Sequence, residues 1–261
     1  MIVKLFLLSS NPFFESYIQS DILGKLIFIG LYLISICSWS ILLYKIWTTY
    51  QAKKNAFRFY EAFQLHKMNP TTIDYERLNQ KKTINPFLAL YITLHKQCAE
   101  LLTYEKNLHS QSVAHPKQGL TTQEIDYLAS HLTTQIAHQV KNLEKNLYIL
   151  ATTVSLAPFL GLLGTVWGIL TTFSALQTQG VSGTHQMVLS GLSLALATTV
   201  IGLLDAIPAL VGYNYLKNNI RDFSIEMEGF ANEILTTMEL HYRRAVMTIN
   251  NKIDESQQKA Q

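Results

Sequence analysis

One carboxylate and three threonines stand where chemistry could be done. Residues 146–216 hold a single formally charged side chain, Asp205, with Lys145 before the run and Lys217 after it. A lone acid in so apolar a stretch is costly in lipid, and such residues mark ion pathways or counter-ions. The same run carries hydroxyls at membrane depth on Thr165, Thr198 and Thr199. At about 100° per residue, Thr198 and Asp205 are nearly eclipsed on one helix, and Thr199 lies about 120° from Asp205. Hydroxyls and a carboxylate can pass protons through water. Equally, a membrane threonine can bond its own i−4 carbonyl, and Asp205 can meet water from the nearer boundary. The residues alone leave both readings open.

These groups are interleaved with small residues. Gly161, Gly164, Gly168, Thr172 and Ala175 recur at steps of three or four, as do Gly191, Ala195, Thr198, Gly202, Ala206 and Ala209. Such ladders let helix backbones approach closely in lipid. Gly161, Gly164, Gly168, Gly191 and Gly202 are therefore expected to be helix-packing positions.

The elements that must hold these residues follow from where charge is missing. Only 15% of the chain is charged, against about 25% for a soluble domain. The deficit sits in residues 26–44 and 146–216. A crossing needs about 20 predominantly apolar residues, so the first block supplies one and the second supplies two. The expected fold is an all-α integral membrane protein. It has three transmembrane helices, with long helices extending into the cytoplasm. Its segments are an outward-facing stretch (1–21), span one (22–47), a cytoplasmic helical domain (48–145), span two (146–176), a short periplasmic turn (177–186), span three (187–213) and a C-terminal helix and tail (214–261).

The soluble part reads as helices. No breaker ends span one at the membrane, so its helix continues to about residue 63, and Asn69-Pro70 stops it. A second helix starts at Asn85-Pro86, since proline suits the first turn, and runs to about residue 104. Residues 115–119 form a loop by their Pro and Gly. Thr121 with Glu124 matches the capping box, in which each side chain satisfies an orphan backbone N–H. Beyond it Ile125, Leu128, Leu132, Ile136, Val140, Leu143, Leu147 and Leu150 mark one helical face. The pattern predicts a helix feeding straight into span two. Leu216, Ile220, Phe223, Met227, Phe230 and Ile234 form a seam for packing against another helix.

Charge sets the orientation. Residues 48–145 hold twelve Lys and Arg against eight acids, the tail holds six Lys and Arg, and the turn between spans two and three holds none. The positive-inside rule then puts the N-terminus outside and the C-terminus inside. A net charge of +3 gives no reason to invoke nucleic acid. Met1 to Phe14 lacks a small-residue cleavage site and reads as a membrane-surface helix rather than a signal peptide. Cys37 and Cys98 form no disulfide framework. His131 and His138, seven apart, lack the i, i+4 spacing of metal-binding helices, and no Gly-rich phosphate loop is present. No enzyme activity, metal or cofactor is expected.

Leu156-Ala-Pro-Phe-Leu-Gly-Leu-Leu-Gly-Thr-Val-Trp-Gly-Ile-Leu170 resembles the span-two signature of the ExbB/TolQ family of proton channels. Met187-Val with Gly191, then Ala197-Thr-Thr-Val-Ile-Gly-Leu-Leu-Asp-Ala-Ile-Pro-Ala209, resembles its span three. Lys141-Asn-Leu-Glu-Lys145 and Cys37-Ser-Trp-Ser-Ile-Leu-Leu-Tyr-Lys45 add weaker likenesses. Flagellar stator relatives have four spans, whereas three are read here. The resemblance implies a lipid-embedded homo-oligomer, a pentamer, in the bacterial inner membrane around the single spans of ExbD- or TolR-like subunits. Proton passage between these subunits would release force to a TonB- or TolA-like protein. Aligning on Gly164 and Gly202 puts the family's two pore-facing threonines at Thr165 and Thr199, next to Thr198.

The chain departs from that pattern at one point. Leu194 occupies the position of a family span-three glutamate, and Asp205 stands where relatives carry a small or apolar residue. Positions 194 and 205 share a helical face, eleven residues being three turns plus about 20°. Asp205 is therefore expected to be a relocated carboxylate on the ion pathway. The missing glutamate keeps a second reading alive, a non-conducting membrane scaffold for envelope proteins. A solute transporter fits poorly, because three spans without an internal repeat make a weak alternating-access machine.

Overall fold

The computed structural model describes residues 12–67, 84–109, 120–179 and 184–258. Six helices occupy them: α1 (Pro12–Gln19), α2 (Ile22–Leu65), α3 (Pro86–His109), α4 (Thr122–Glu144), α5 (Leu147–Gln179) and α6 (Thr184–Gln258). No strand occurs among the described residues. The Asn69-Pro70 stop, the 115–119 loop and residues 180–183 of the expected turn lie outside them.

The protein is an all-α integral membrane protein. α2, α5 and α6 each contain a run long and apolar enough to cross a bilayer. Their outer faces carry Leu33, Leu43, Phe159, Val166, Phe173, Leu204 and Val211, each at least 58% exposed. In water so large an apolar surface would drive association; in lipid it is solvated.

Contacts divide the chain into two units. The first comprises residues up to Ile46 together with Lys145–Lys217. Within it α2 and α6 run side by side in the same direction. Phe28 packs on Ala197, Leu31 on Ala157 and Ala206, and Leu42 meets Gly212. Tyr17 of α1 sets its ring edge-on to Phe28 at 5.9 Å. Pro158 and Pro208 lie inside α5 and α6. Each removes one helical hydrogen bond, a loss that packed membrane helices tolerate.

The second unit comprises Trp47–Glu144 and Asn218–Gln261. Its core is aromatic. Phe87 of α3 stacks on Phe230 at 4.4 Å and on Phe223 at 5.9 Å, while Phe59 and Phe63 meet Tyr91 and Phe230 edge-on. Offset and T-shaped pairs of this kind add about 0.5–1.5 kcal/mol each beyond the area they bury. Phe223 and Phe230 belong to the α6 seam, whose Ile220, Met227 and Ile234 are likewise at most 3% exposed. At its edge Lys53 pairs with Glu226 at 2.9 Å, and Gln64 donates to Glu233 at 2.7 Å.

α4 packs on α3 and opens as the sequence requires. The Thr121 N–H donates to Glu124 Oε2 at 2.7 Å, and the Glu124 N–H donates to Thr121 Oγ1 at 3.3 Å. Thr121→Ala should cost about 1 kcal/mol and speed amide exchange in the first turn of α4 alone.

The far end of α4 corrects the sequence reading. The helix does not feed straight into span two. It stops at Glu144, Asn146 turns into the left-handed region at φ 70°, and α5 begins at Leu147. Asparagine is one of the few residues that visit this conformation readily. The apolar pattern hides the break because Leu143 and Leu147, both buried, keep the four-residue step across it.

Cys98 of α3 is buried, and burial pushes its thiol up to about 11. Its ordinary value is 9.0, so the thiolate fraction at neutral pH falls about a hundredfold. In the folded protein Cys98 should resist maleimide at neutral pH and react faster as pH rises. Full labelling should require denaturation; rapid labelling of the native protein would contradict this packing.

Candidate functional site

The site is built where α5 and α6 cross the membrane in opposite directions. Glycines set the spacing. A Cβ added at Gly161 would stand 3.0 Å from the Thr198 carbonyl oxygen and 3.0 Å from Thr199 Cα. At Gly164 it would strike the Thr198 side chain, with Thr198 Cβ at 2.6 Å. At Gly168 it would meet the Gly191 carbonyl oxygen at 2.9 Å, and at Gly202 the Ala157 carbonyl oxygen at 2.6 Å. Gly191 backs onto the Thr172 hydroxyl and the Gly168 carbonyl. Five glycines thus lie at one backbone-to-backbone seam, which only residues without a side chain allow.

The close approach places the hydroxyls. Thr198 is fully buried; its hydroxyl donates to the Ala195 carbonyl at 2.9 Å, with the Gly161 carbonyl at 3.4 Å. The Thr199 hydroxyl reaches across to the same Gly161 carbonyl at 3.2 Å. The glycine at 161 is what allows two α6 threonines to approach one α5 carbonyl. Thr165 is half-buried and bonds within its own helix, donating to the Leu162 carbonyl at 2.6 Å. Thr172 does the same toward Gly168 at 2.6 Å. These bonds orient the side chains, and a hydroxyl retains acceptor capacity while donating.

Asp205 lies elsewhere. It is 4% exposed, and neither carboxyl oxygen makes a hydrogen bond of ordinary geometry among the described residues. It continues the buried stripe of α6 through Ala195, Thr198 and Ala209. Its polar neighbour, however, is Ser35 of α2 rather than a group on α5. Direct access from bulk water is closed to it within one chain. An ionised carboxylate kept here without a partner would cost several kcal/mol. Of the residues singled out in the sequence, Thr198, Thr199 and the five glycines come together, Thr165 borders them, and Asp205 stands apart. The side chain of Leu194 lies outside the described residues.

Two contacts were not read from the sequence. Trp167 donates its indole N–H to Asp21 Oδ2 at 2.8 Å, while Asp21 Oδ1 accepts from the Gly24 N–H at 3.0 Å and caps α2. An aspartate just before an apolar helix is a start signal, so the cap was legible even though its indole partner was not. Ser16 and Ser193 meet at 2.9 Å. Among the described residues no cluster of three or more His, Cys, Asp or Glu could hold a metal; the His131 ring lies tilted against Tyr127, centroids 4.5 Å apart.

This seam falls inside the region that matches known proteins. Residues 102–229 match the model of the MotA/TolQ/ExbB proton channel family, and curated relatives carry both the ExbB and the TolQ names. The chain belongs to the ExbB/TolQ family. It is 42% identical over 99 residues to the biopolymer transport protein ExbB of Aquifex aeolicus, a match covering 38% of this chain and 66% of that protein. It is 27% identical over 231 residues to the Tol-Pal system protein TolQ of Haemophilus influenzae, covering 87% and 93%. Against ExbB of Pseudomonas putida it is 30% identical over 222 residues, covering 84% of this chain and 61% of the relative. This ExbB/TolQ family is one of proton channels, and its matched segment contains all of α4 and α5 and the membrane part of α6.

Proposed function

We propose that the chain is the channel-forming subunit of an inner-membrane machine that converts a proton gradient into force. One observation carries the reading: Thr198 and Thr199 converge on the Gly161 carbonyl at a glycine-spaced crossing inside the proton-channel family match. Protons would pass along the faces bearing Thr165 and Thr199. Their hydroxyls would hydrogen-bond to water or to the carboxylate of a single-span partner, and Thr198 would hold the two helices in register. Copies of the chain would form a ring, a pentamer by resemblance, around ExbD- or TolR-like spans. The force would reach a TonB- or TolA-like protein and support import across the outer membrane or envelope integrity. The charge pattern supports an N-out, C-in orientation, with the aromatic unit as the cytoplasmic part. No catalytic role is proposed.

The competing reading is a scaffold that assembles without conducting, which Leu194 in place of the family glutamate favours. Affinity purification of the full chain from membranes separates these partnerships. Recovery of a small single-span protein with an intramembrane aspartate, together with a TonB- or TolA-like protein, supports the transducer. Recovery of envelope proteins without any such carboxylate-bearing subunit supports the scaffold.

A further inference from the structure

Asp205 is a buried carboxyl inside a membrane-spanning helix that the proposed threonine pathway does not use. At 4% exposure it is buried within one chain, so no neighbouring copy is needed to shield it. Among the described residues neither of its oxygens makes a hydrogen bond of ordinary geometry, and the Ser35 hydroxyl of α2 stands close enough to interact with the carboxyl. Ser38, one turn on along α2 and 2% exposed, extends the polar strip on the same helix face.

The charged groups of the surrounding helices are remote in sequence. On α2 the nearest are Lys25 and Lys45, each ten residues from Ser35, or about 15 Å along the axis. Glu15 and Asp21 lie earlier still, α5 has no charged residue, and the membrane part of α6 has only Asp205 itself, with His185 far toward its start. One hydroxyl beside a carboxyl also falls short of the roughly six oxygens that a hard metal cation demands. A proton needs only the one carboxyl oxygen.

We propose that Asp205 is a second proton-binding site, set between α2 and α6 of a single chain and off the threonine line, which holds its proton while the two helices are packed and releases it to water only when they part. On release the carboxyl O–H bond breaks, the proton goes to water, and the carboxylate left behind opposes re-packing of α2 until it is protonated again. Proton occupancy is thereby tied to the α2–α6 contact. This coupling rests on the proton-driven reading above, whereas the site itself does not.

Infrared spectroscopy of the purified full-length assembly in lipid tests it without any flux measurement. A protonated-carboxyl C=O band is expected at neutral pH, absent in Asp205→Asn and shifted in Ser35→Ala, which keeps the acid but removes its neighbouring hydroxyl. Asp205→Asn, a permanently uncharged isostere, should assemble normally and lose at least about tenfold in energy transduction. A spectrum unchanged by Asp205→Asn would overturn the site. Full activity of Asp205→Asn would overturn the coupling. A band that behaves as expected in an assembly that carries no protons would uphold the site and sink the proposed function instead.

Discussion

Gly202→Val should leave little assembled protein in the membrane. The added Cβ would stand 2.6 Å from the Ala157 carbonyl oxygen and 3.3 Å from Gly161 Cα. These are backbone atoms of the facing helix, so no flexible side chain can yield, and α5 and α6 must separate. Overpacking costs about 1–3 kcal/mol where neighbours can adjust; here roughly 3 kcal/mol or more is expected, a large share of a stability of about 5–15 kcal/mol. Because the same seam orients Thr198 and Thr199, the channel face would go with it. Gly30 is the control: no atom lies within 4 Å of a Cβ built there, so Gly30→Ala should assemble at the wild-type level. Membrane abundance and oligomer size on native gels read both variants. Normal assembly of Gly202→Val would mean that the two helices do not cross at this distance.

Thr199→Val should separate folding from function. Valine keeps the shape and removes only the hydroxyl. The donation lost, shared between the Gly161 carbonyl at 3.2 Å and the Ala195 carbonyl at 3.4 Å, is worth about 0.5–1.5 kcal/mol of stability, too little to unfold a helix pair held along five glycines. Energy transduction should nevertheless fall at least tenfold, since about 1.4 kcal/mol on a rate-limiting barrier suffices. Thr165→Val should act in the same direction. Its hydroxyl bonds inside α5, so its removal leaves the α5–α6 crossing untouched. Measuring energised uptake or detergent resistance in strains matched for protein level gives the comparison. Wild-type activity in both variants would place the pathway on another face.

Much of this was readable because it depends on local patterns. The capping box needs only Thr121 and Glu124 at the right spacing, and it forms. The α6 seam needs only alternating steps of four and three, and all six of its residues are buried. Three spans follow from length and missing charge. What stayed hidden depends on registration between helices that are apolar all round, where no stripe says which face meets which. Nothing in the sequence pairs Ser35 with Asp205 or Trp167 with Asp21. The α2–α6 register emerges from the fit of Leu31 against Ala206 and Leu42 against Gly212. The break at Asn146 was masked for a different reason. A two-residue interruption preserved the apolar step, and only the left-handed tolerance of asparagine hinted at a turn. The aromatic core around Phe87 was likewise invisible, since propensity places α3 but says nothing of the rings it will stack on.

The central claim is that this chain carries protons, and the most direct test is proton entry into liposomes holding the purified assembly with its single-span partner. With an imposed pH gradient and an internal pH dye, the account predicts acidification above empty vesicles that requires the partner and falls at least about tenfold in Thr199→Val. A complete, stable assembly that acidifies no faster than empty vesicles, or equally fast with and without the Thr199 hydroxyl, would contradict it.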